Sequence, residues 1–324
     1  MNNLNSDNTE KKLPFNNLYL LSGLVSGNNA FSSYMLTIIM LVIGYIGIGS
    51  VLTIPLVSRA LENGLTLNQL NQDSSLLFNS DIVKLDKNIL LLIQFALFVF
   101  ALIGFLTGLK FIHKKTLTSI LTGFQKFRYK RFWFAFLIWG GLLIITVLSQ
   151  YFISPQSLTI NFNLQGFLIS FLLMLVFMPI QTGIEEVIFR GYLIQGLSLI
   201  FKNGITPLIV TSLLFGLAHM SNPEVQAYGW PIMLSYFVCF AFFMGIITLL
   251  DEGLELAFGI HFANNIISSI LITEPNSVIK TYSIFESKSS NPYSEIIIWF
   301  CLSILSFAIF WYKYRWTNFK LILK

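Results

Sequence analysis

The sequence predicts an all-α membrane protein, a polytopic bundle of about eight transmembrane helices. Two observations carry that prediction. The chain has 324 residues, of which 55% are hydrophobic and 11% charged, with a mean hydropathy of +0.73. A soluble domain carries about a quarter charged residues, so this chain cannot cover a water-facing surface and lipid is its solvent. The second observation is eight apolar runs that approach the roughly 20 residues a spanning helix needs. They lie at about 33–57, 89–112, 132–153, 164–182 (continuing as helix to about 200), 207–220, 230–250, 254–272 and 294–313. The fifth is short and the seventh opens beside a glutamate, so these two depart furthest from the rule.

Taken in order, residues 1–32 form a polar cytoplasmic tail, MNNLNSDNTEKKLPFN, followed by NLYLLSGLVSG. That second stretch is too short to span and lacks a small-x-small cleavage signal, so it reads as a surface helix. Residues 33–163 hold the first transmembrane helices. Residues 164–272 hold every chemistry-bearing motif described below. Residues 273–324 hold the last loop, the final span and a basic tail. Loops 58–88 and 273–293 are the largest water-exposed pieces, and neither is long enough for a core of its own.

Charge sets the orientation. Lys114, Lys115, Lys126, Arg128, Lys130 and Arg131 crowd the connection 113–131, and Lys313, Arg315, Lys320 and Lys324 crowd the tail. Both belong in the cytoplasm. Loop 58–88 holds Glu62, Asp73, Asp81 and Asp86 and reads as exterior. Eight spans then leave both termini inside an integral plasma membrane protein. The net charge of +5 sits in short stretches between spans rather than on a folded basic face, so nucleic acid is not an expected partner; the lipid bilayer is. Cys239 and Cys301 lie within apolar runs without metal-ligand spacing and read as small buried hydrophobes.

An ionisable side chain inside a bilayer is costly and marks a functional site by default. Glu185, Glu186, Arg190, His219 and His261 qualify. Asp251, Glu252 and Glu255 fall at a helix junction, where water is expected to reach them. In QTGIEEVIFRGYLIQG, Glu186 and Arg190 are four apart on one helix face and can pair, which lowers the cost of burying both. Glu185 points about 100° away, has no local cationic partner, and is poised for proton transfer. In FGLAH, His219 follows Phe215 by one turn, so ring and imidazole can pack together. In HFANN, His261 and Asn265 are four apart and can both donate to a developing oxyanion. Plainer readings exist for each piece. A Glu–Arg pair can be a structural clamp, a membrane histidine can be a satisfied interhelical hydrogen bond, and Asn264 and Asn265 can be helix–helix glue. Gly183 and Gly191, flanking the glutamates, fit close helix packing equally well.

In sequence, EEVIFRG resembles the EExxxR motif of the CAAX protease and bacteriocin-processing (CPBP, or Abi) intramembrane proteases, FGLAH their FxxxH motif and HFANN their HxxxN motif. All three stand in the family's order, and the resemblance covers about 165–272. It implies an intramembrane endopeptidase acting on a membrane-associated protein or peptide. Glu185 and His219 would activate a water for attack on a peptide carbonyl. His261 and Asn265 would stabilise the oxyanion, and Glu186, Arg190 and Phe215 would support the site. Glu185, His219 and His261 also make a plausible zinc set, although the HExxH zinc helix is absent; metal-free water activation, with no cofactor, is the favoured expectation. The Asn/Ile/Lys-rich composition suggests a bacterium. Counting from the helix ends, Glu185 and His261 stand nearer the cytoplasm, which predicts a cavity open to that side. The competing functions are a proton-coupled transporter, which would show broken helices in two related halves, and a non-catalytic membrane scaffold.

Overall fold

Apolar runs this long have one way to satisfy their backbone in lipid, which is to bond it within each segment as helix. The computed structural model, which describes residues 16–25, 27–288 and 291–321, is built accordingly. Its helices are α1 (Leu18–Val25), α2 (Phe31–Glu62), α3 (Leu67–Gln72), α4 (Ser80–Val83), α5 (Lys87–His113), α6 (Leu117–Leu121), α7 (Tyr129–Ile153), α8 (Leu164–Phe201), α9 (Ile205–Ala218), α10 (Pro223–Tyr228), α11 (Trp230–Asp251), α12 (Glu255–Leu271) and α13 (Pro292–Tyr314). Side-chain caps fix several starts. Asp86 accepts from the Asn88 amide, Asn163 from that of Gly166, and Asn291 from that of Tyr293. Lys114, Lys202, Glu252 and Arg315 end helices in the left-handed conformation, at φ 56°, 54°, 56° and 53°.

Among the described residues, six helices are long and apolar enough to cross a membrane: α2, α5, α7, α8, α11 and α13. The other two expected spans form the shorter α9, of 14 residues, and α12, of 17. In α12 the reason is visible. Leu256, Ala257, Gly259, Ile260, His261, Phe262, Ala263 and Ile266 are all buried, against α7, α8 and α11. Sheathed by protein, α12 has no bilayer thickness to match.

The junction between α11 and α12 corrects the expectation of a wet site. The side chains of Asp251 and Glu255 are fully covered. Arg128 bonds both Glu255 oxygens, at 3.0 and 2.7 Å, and Asp251 Oδ2 at 2.9 Å. Arg131 pairs with Asp251 Oδ1, which also accepts from the Trp316 indole. Charges that read as solvated therefore pin the basic connection 114–128 to the bundle. The expected surface helix, α1, docks on the same end. Tyr19 is buried, and its hydroxyl donates to Ile120 O at 2.7 Å and lies 3.2 Å from Arg190 O. A side chain at Gly191 would collide with Ile120, so this glycine serves packing. The tail 1–15 lies outside the described residues.

At the opposite end, the loops are more ordered than the sequence suggests. Strands β1 (Leu158–Ile160), β2 (Ile272–Thr273) and β3 (Phe285–Ser287) form a sheet in the order β1-β3-β2. β1 pairs antiparallel with β3 at Leu158↔Ser287, and β2 runs parallel to β3 at Ile272↔Phe285. Segment 58–88 folds as α3, a 3-10 turn and α4 around Leu56, Ala60, Leu70, Val83 and Leu90.

Candidate active site

Three elements place the ionisable groups. Helix α8 carries Glu185 and Glu186 where its α-helical part ends, and continues through a π-helical stretch, Val187–Leu193. Such insertions turn side chains off the regular spiral and occur at functional sites. The end of α9 carries Phe215 and His219. The first half of α12 carries His261, with Asn264 and Asn265 one turn on. His261 stands six residues after Glu255, about 9 Å along the axis at 1.5 Å per residue. This is the end of the bundle that holds the basic connection.

The two glutamates divide as expected in one respect. Glu186 is fully buried, and its Oε1 accepts from Arg190 Nη1 at 3.0 Å. The same oxygen lies 2.6 Å from His261 Nδ1. A carboxylate that accepts from a guanidinium has no proton to give, so His261 Nδ1 is the donor and its tautomer is set. The Arg190 guanidinium lies flat over Phe215, 4.1 Å from the ring centroid. That stacking covers the cation, while Nε and Nη2 have no hydrogen-bond partner among the described residues.

Glu185, read as a carboxyl with no local cationic partner, is hydrogen-bonded by a neutral one. Its Oε1 accepts from Gln181 Nε2 at 2.5 Å, and its Oε2 lies 3.6 Å from His261 Nε2. His261 therefore stands between the two glutamates, one on each ring nitrogen. Glu185 remains partly exposed, with its side chain at 13%, whereas Glu186 is at 0%. The open side of the site belongs to the first glutamate.

His219 sits between Phe215 and Phe237, with ring centroids 4.2 and 4.7 Å away. Its Nδ1 is 2.7 Å from Phe215 O. A carbonyl only accepts, so Nδ1 carries the hydrogen and Nε2 offers a lone pair. Asn265 Nδ2 donates to Gln181 Oε1 at 3.1 Å, and Asn265 Oδ1 accepts from Asn264 at 3.2 Å. Glu185, Glu186, Arg190, Phe215, His219, His261 and Asn265 are thus brought to one place. Gln181 and Trp139 were not singled out in sequence. A glutamine one turn before a glutamate in an apolar helix was the available signal for the first; nothing local marks the second.

As to metal, the candidate set Glu185, His219 and His261 does not gather as a ligand cluster. Among the described residues, no group of three or more His, Cys, Asp or Glu side chains is arranged to hold an ion. The two Nδ1 atoms are committed to Phe215 O and Glu186, which leaves only the Nε2 atoms for any ligand role.

Comparison with known proteins bears on the same segment. Residues 164–267 match the family described as type II CAAX prenyl endopeptidase Rce1-like. That segment of the chain is therefore similar to Rce1-like domains. The chain is also similar to the uncharacterized protein YyaK of Bacillus subtilis (strain 168), with 29% identity over 225 residues, 68% of this chain and 75% of the relative. No solved structure matches. The similarity supports a membrane endopeptidase in general, and the matched residues run from the start of α8 past Asn265.

Proposed function

We propose that the site hydrolyses a peptide bond of a membrane-associated protein or peptide by metal-free activation of water. The observation that carries this reading is the split between the adjacent glutamates. Glu186 is buried against Arg190 and orients His261, while Glu185 faces the open side beside the other nitrogen of the same imidazole. In this reading Glu185 takes one proton from water as the water oxygen bonds to the carbonyl carbon, while the Nε2 lone pair of His219 accepts a hydrogen bond from the water's other O–H. Negative charge develops on the carbonyl oxygen. Asn265 donates to it, as does His261 Nε2 when the imidazole has taken a proton from solvent beforehand, with the Glu186 carboxylate balancing the imidazolium. The proton held by Glu185 then passes to the leaving amine as the C–N bond breaks. The basic connections 114–131 and 313–320 support a cytoplasmic position for this end of the bundle and for both termini, by the positive-inside pattern. The Bacillus relative fits a bacterial origin.

The test is cleavage of a membrane-tethered peptide library by purified protein in proteoliposomes, beside Glu185→Gln and His219→Ala, with and without chelator. Cleavage lost in both variants and kept in chelator is the expected result. Loss in chelator with zinc rescue would replace water activation by a metal mechanism. Equal traces in all three proteins would point to a contaminant, and to the transporter or scaffold.

A further inference from the structure

A line of hydrogen bonds runs from the bundle interior into the site. The Trp139 indole Nε1, on α7, donates to Asn264 Oδ1 at 3.2 Å. Asn264 Nδ2 donates to Asn265 Oδ1 at 3.2 Å, and Asn265 Nδ2 to Gln181 Oε1 at 3.1 Å. Gln181 Nε2 donates to Glu185 Oε1 at 2.5 Å. Trp139 is fully buried and Gln181 nearly so, at 6%.

The two ends of this line are chemically one-way. An indole N–H only donates, and an ionised carboxylate only accepts. The three amides between them could each point either way, since an amide is distinguished from its flipped form only by its bonds. With a donor fixed at one end and an acceptor at the other, a single orientation of all three makes all four bonds. Flipping any one amide places donor against donor and acceptor against acceptor on its two sides. From this polarity we infer that Trp139, Asn264 and Gln181 are positioning residues that fix the orientation of Asn265 and Glu185. Asn265 has its oxygen occupied and one N–H bonded to Gln181, so what it has left to offer a substrate is its second N–H, the end an oxyanion requires. Glu185 has Oε1 occupied and turns Oε2 to the reacting side. None of the three positioning residues touches the reacting atoms. Trp139 acts from 125 residues away in sequence.

The inference rests on the peptidase reading for its effect on rate, but not for its existence, so two measurements separate them. In the cleavage assay, Trp139→Phe should lower kcat by ~10-fold, the scale of one lost neutral hydrogen bond, and Gln181→Met, which also removes a bond to the Glu185 carboxylate, by at least as much, each with KM within about twofold. The double variant should be little worse than the worse single one, because either change frees the same amides. Multiplied losses, or an unchanged kcat in Trp139→Phe, would overturn the relay. Independently of any activity, the indole N–H proton resonance of Trp139, assigned by its loss in Trp139→Phe, should move upfield in Asn264→Leu. It should move the same way, by less, in Gln181→Met, since bonds in a chain polarise one another. A resonance unmoved by both changes would overturn the relay. A responsive resonance in a protein that cleaves nothing would uphold the relay and overturn the peptidase reading.

Discussion

Two neighbouring glutamates, Glu185 and Glu186, differ by one position in sequence and by almost everything in environment. Glu186 is the buried counter-ion of Arg190 and His261, and removing one partner of such a cluster strands the others. Glu186→Gln should therefore destabilise the fold by about 3–5 kcal/mol and lose activity along with it. Glu185→Gln keeps a hydrogen-bonding group of the same size at a partly exposed position, so it should lose cleavage by at least ~100-fold while its melting temperature in detergent stays near that of the parent. Thermal unfolding measured beside cleavage checks both. A Glu186→Gln protein as stable as the parent would mean that the Arg190 charge is not confined as the contacts require. Much of this was legible beforehand. The spacing of Glu186 and Arg190 fixed their pairing, and Phe215 does pack on His219. The exception was His261, whose bond to Glu186 joins α12 to α8 across 75 residues and has no local signature. That contact changes the reading of Glu186 from a clamp on Arg190 into the group that sets the His261 tautomer.

The helices show where sequence reading succeeds and where it stops. Apolar length identified α2, α5, α7, α8, α11 and α13 because lipid imposes one rule on every exposed span. It overstated α9 and α12; for α12 the reason is that a helix surrounded by other helices is released from that rule, whereas α9 keeps Ile209, Leu213, Leu214 and Leu217 exposed. The three-stranded sheet was invisible, since its strands are two or three residues long and β1 pairs with β3 across more than a hundred positions. The wet reading of Asp251 and Glu255 failed for a similar reason, as their partners Arg128 and Arg131 arrive from another connection. Helix contact in lipid rests on close packing by small residues, and the α2–α5 pair illustrates it. A side chain built on Gly104 would run into the backbone oxygen of Met40, and one on Gly44 into that of Phe100. Gly104→Val should thus push the helices apart and lower the melting temperature by several degrees, whereas Gly141→Ala, where nothing lies within 4 Å, should leave it unchanged. Equal melting of the two variants would show that α2 yields without cost.

At the scale of the molecule, the two ends of the bundle are held by different chemistry. Buried ion pairs hold the end with the basic connection. The other end is held by loop contacts, among them Glu224 on α10, whose Oε1 accepts from the Val278 amide at 3.2 Å. Gln226 on the same helix reaches Gln72 O at 3.4 Å, and Gln94 reaches Val278 O at 3.3 Å. Burial pushes the Glu224 carboxyl up to about 7, with Glu274 adding to the rise and Lys280 and the backbone amides opposing it. A carboxyl that binds its proton more tightly folded than unfolded contributes stability that is fully present below the unfolded value of 4.5. That contribution is lost as pH rises toward the folded value. Its size is at most about 3 kcal/mol, from 1.36 kcal/mol per unit. The melting temperature in detergent should therefore fall between pH 5 and about pH 7, opposite to the trend usual for ion-paired carboxylates. Glu224→Gln, which keeps an acceptor for Val278 and cannot ionise, should flatten that fall. Parallel curves for parent and variant would mean that Glu224 is hydrated, and that the contact between α10 and the 274–284 loop does not hold this end closed.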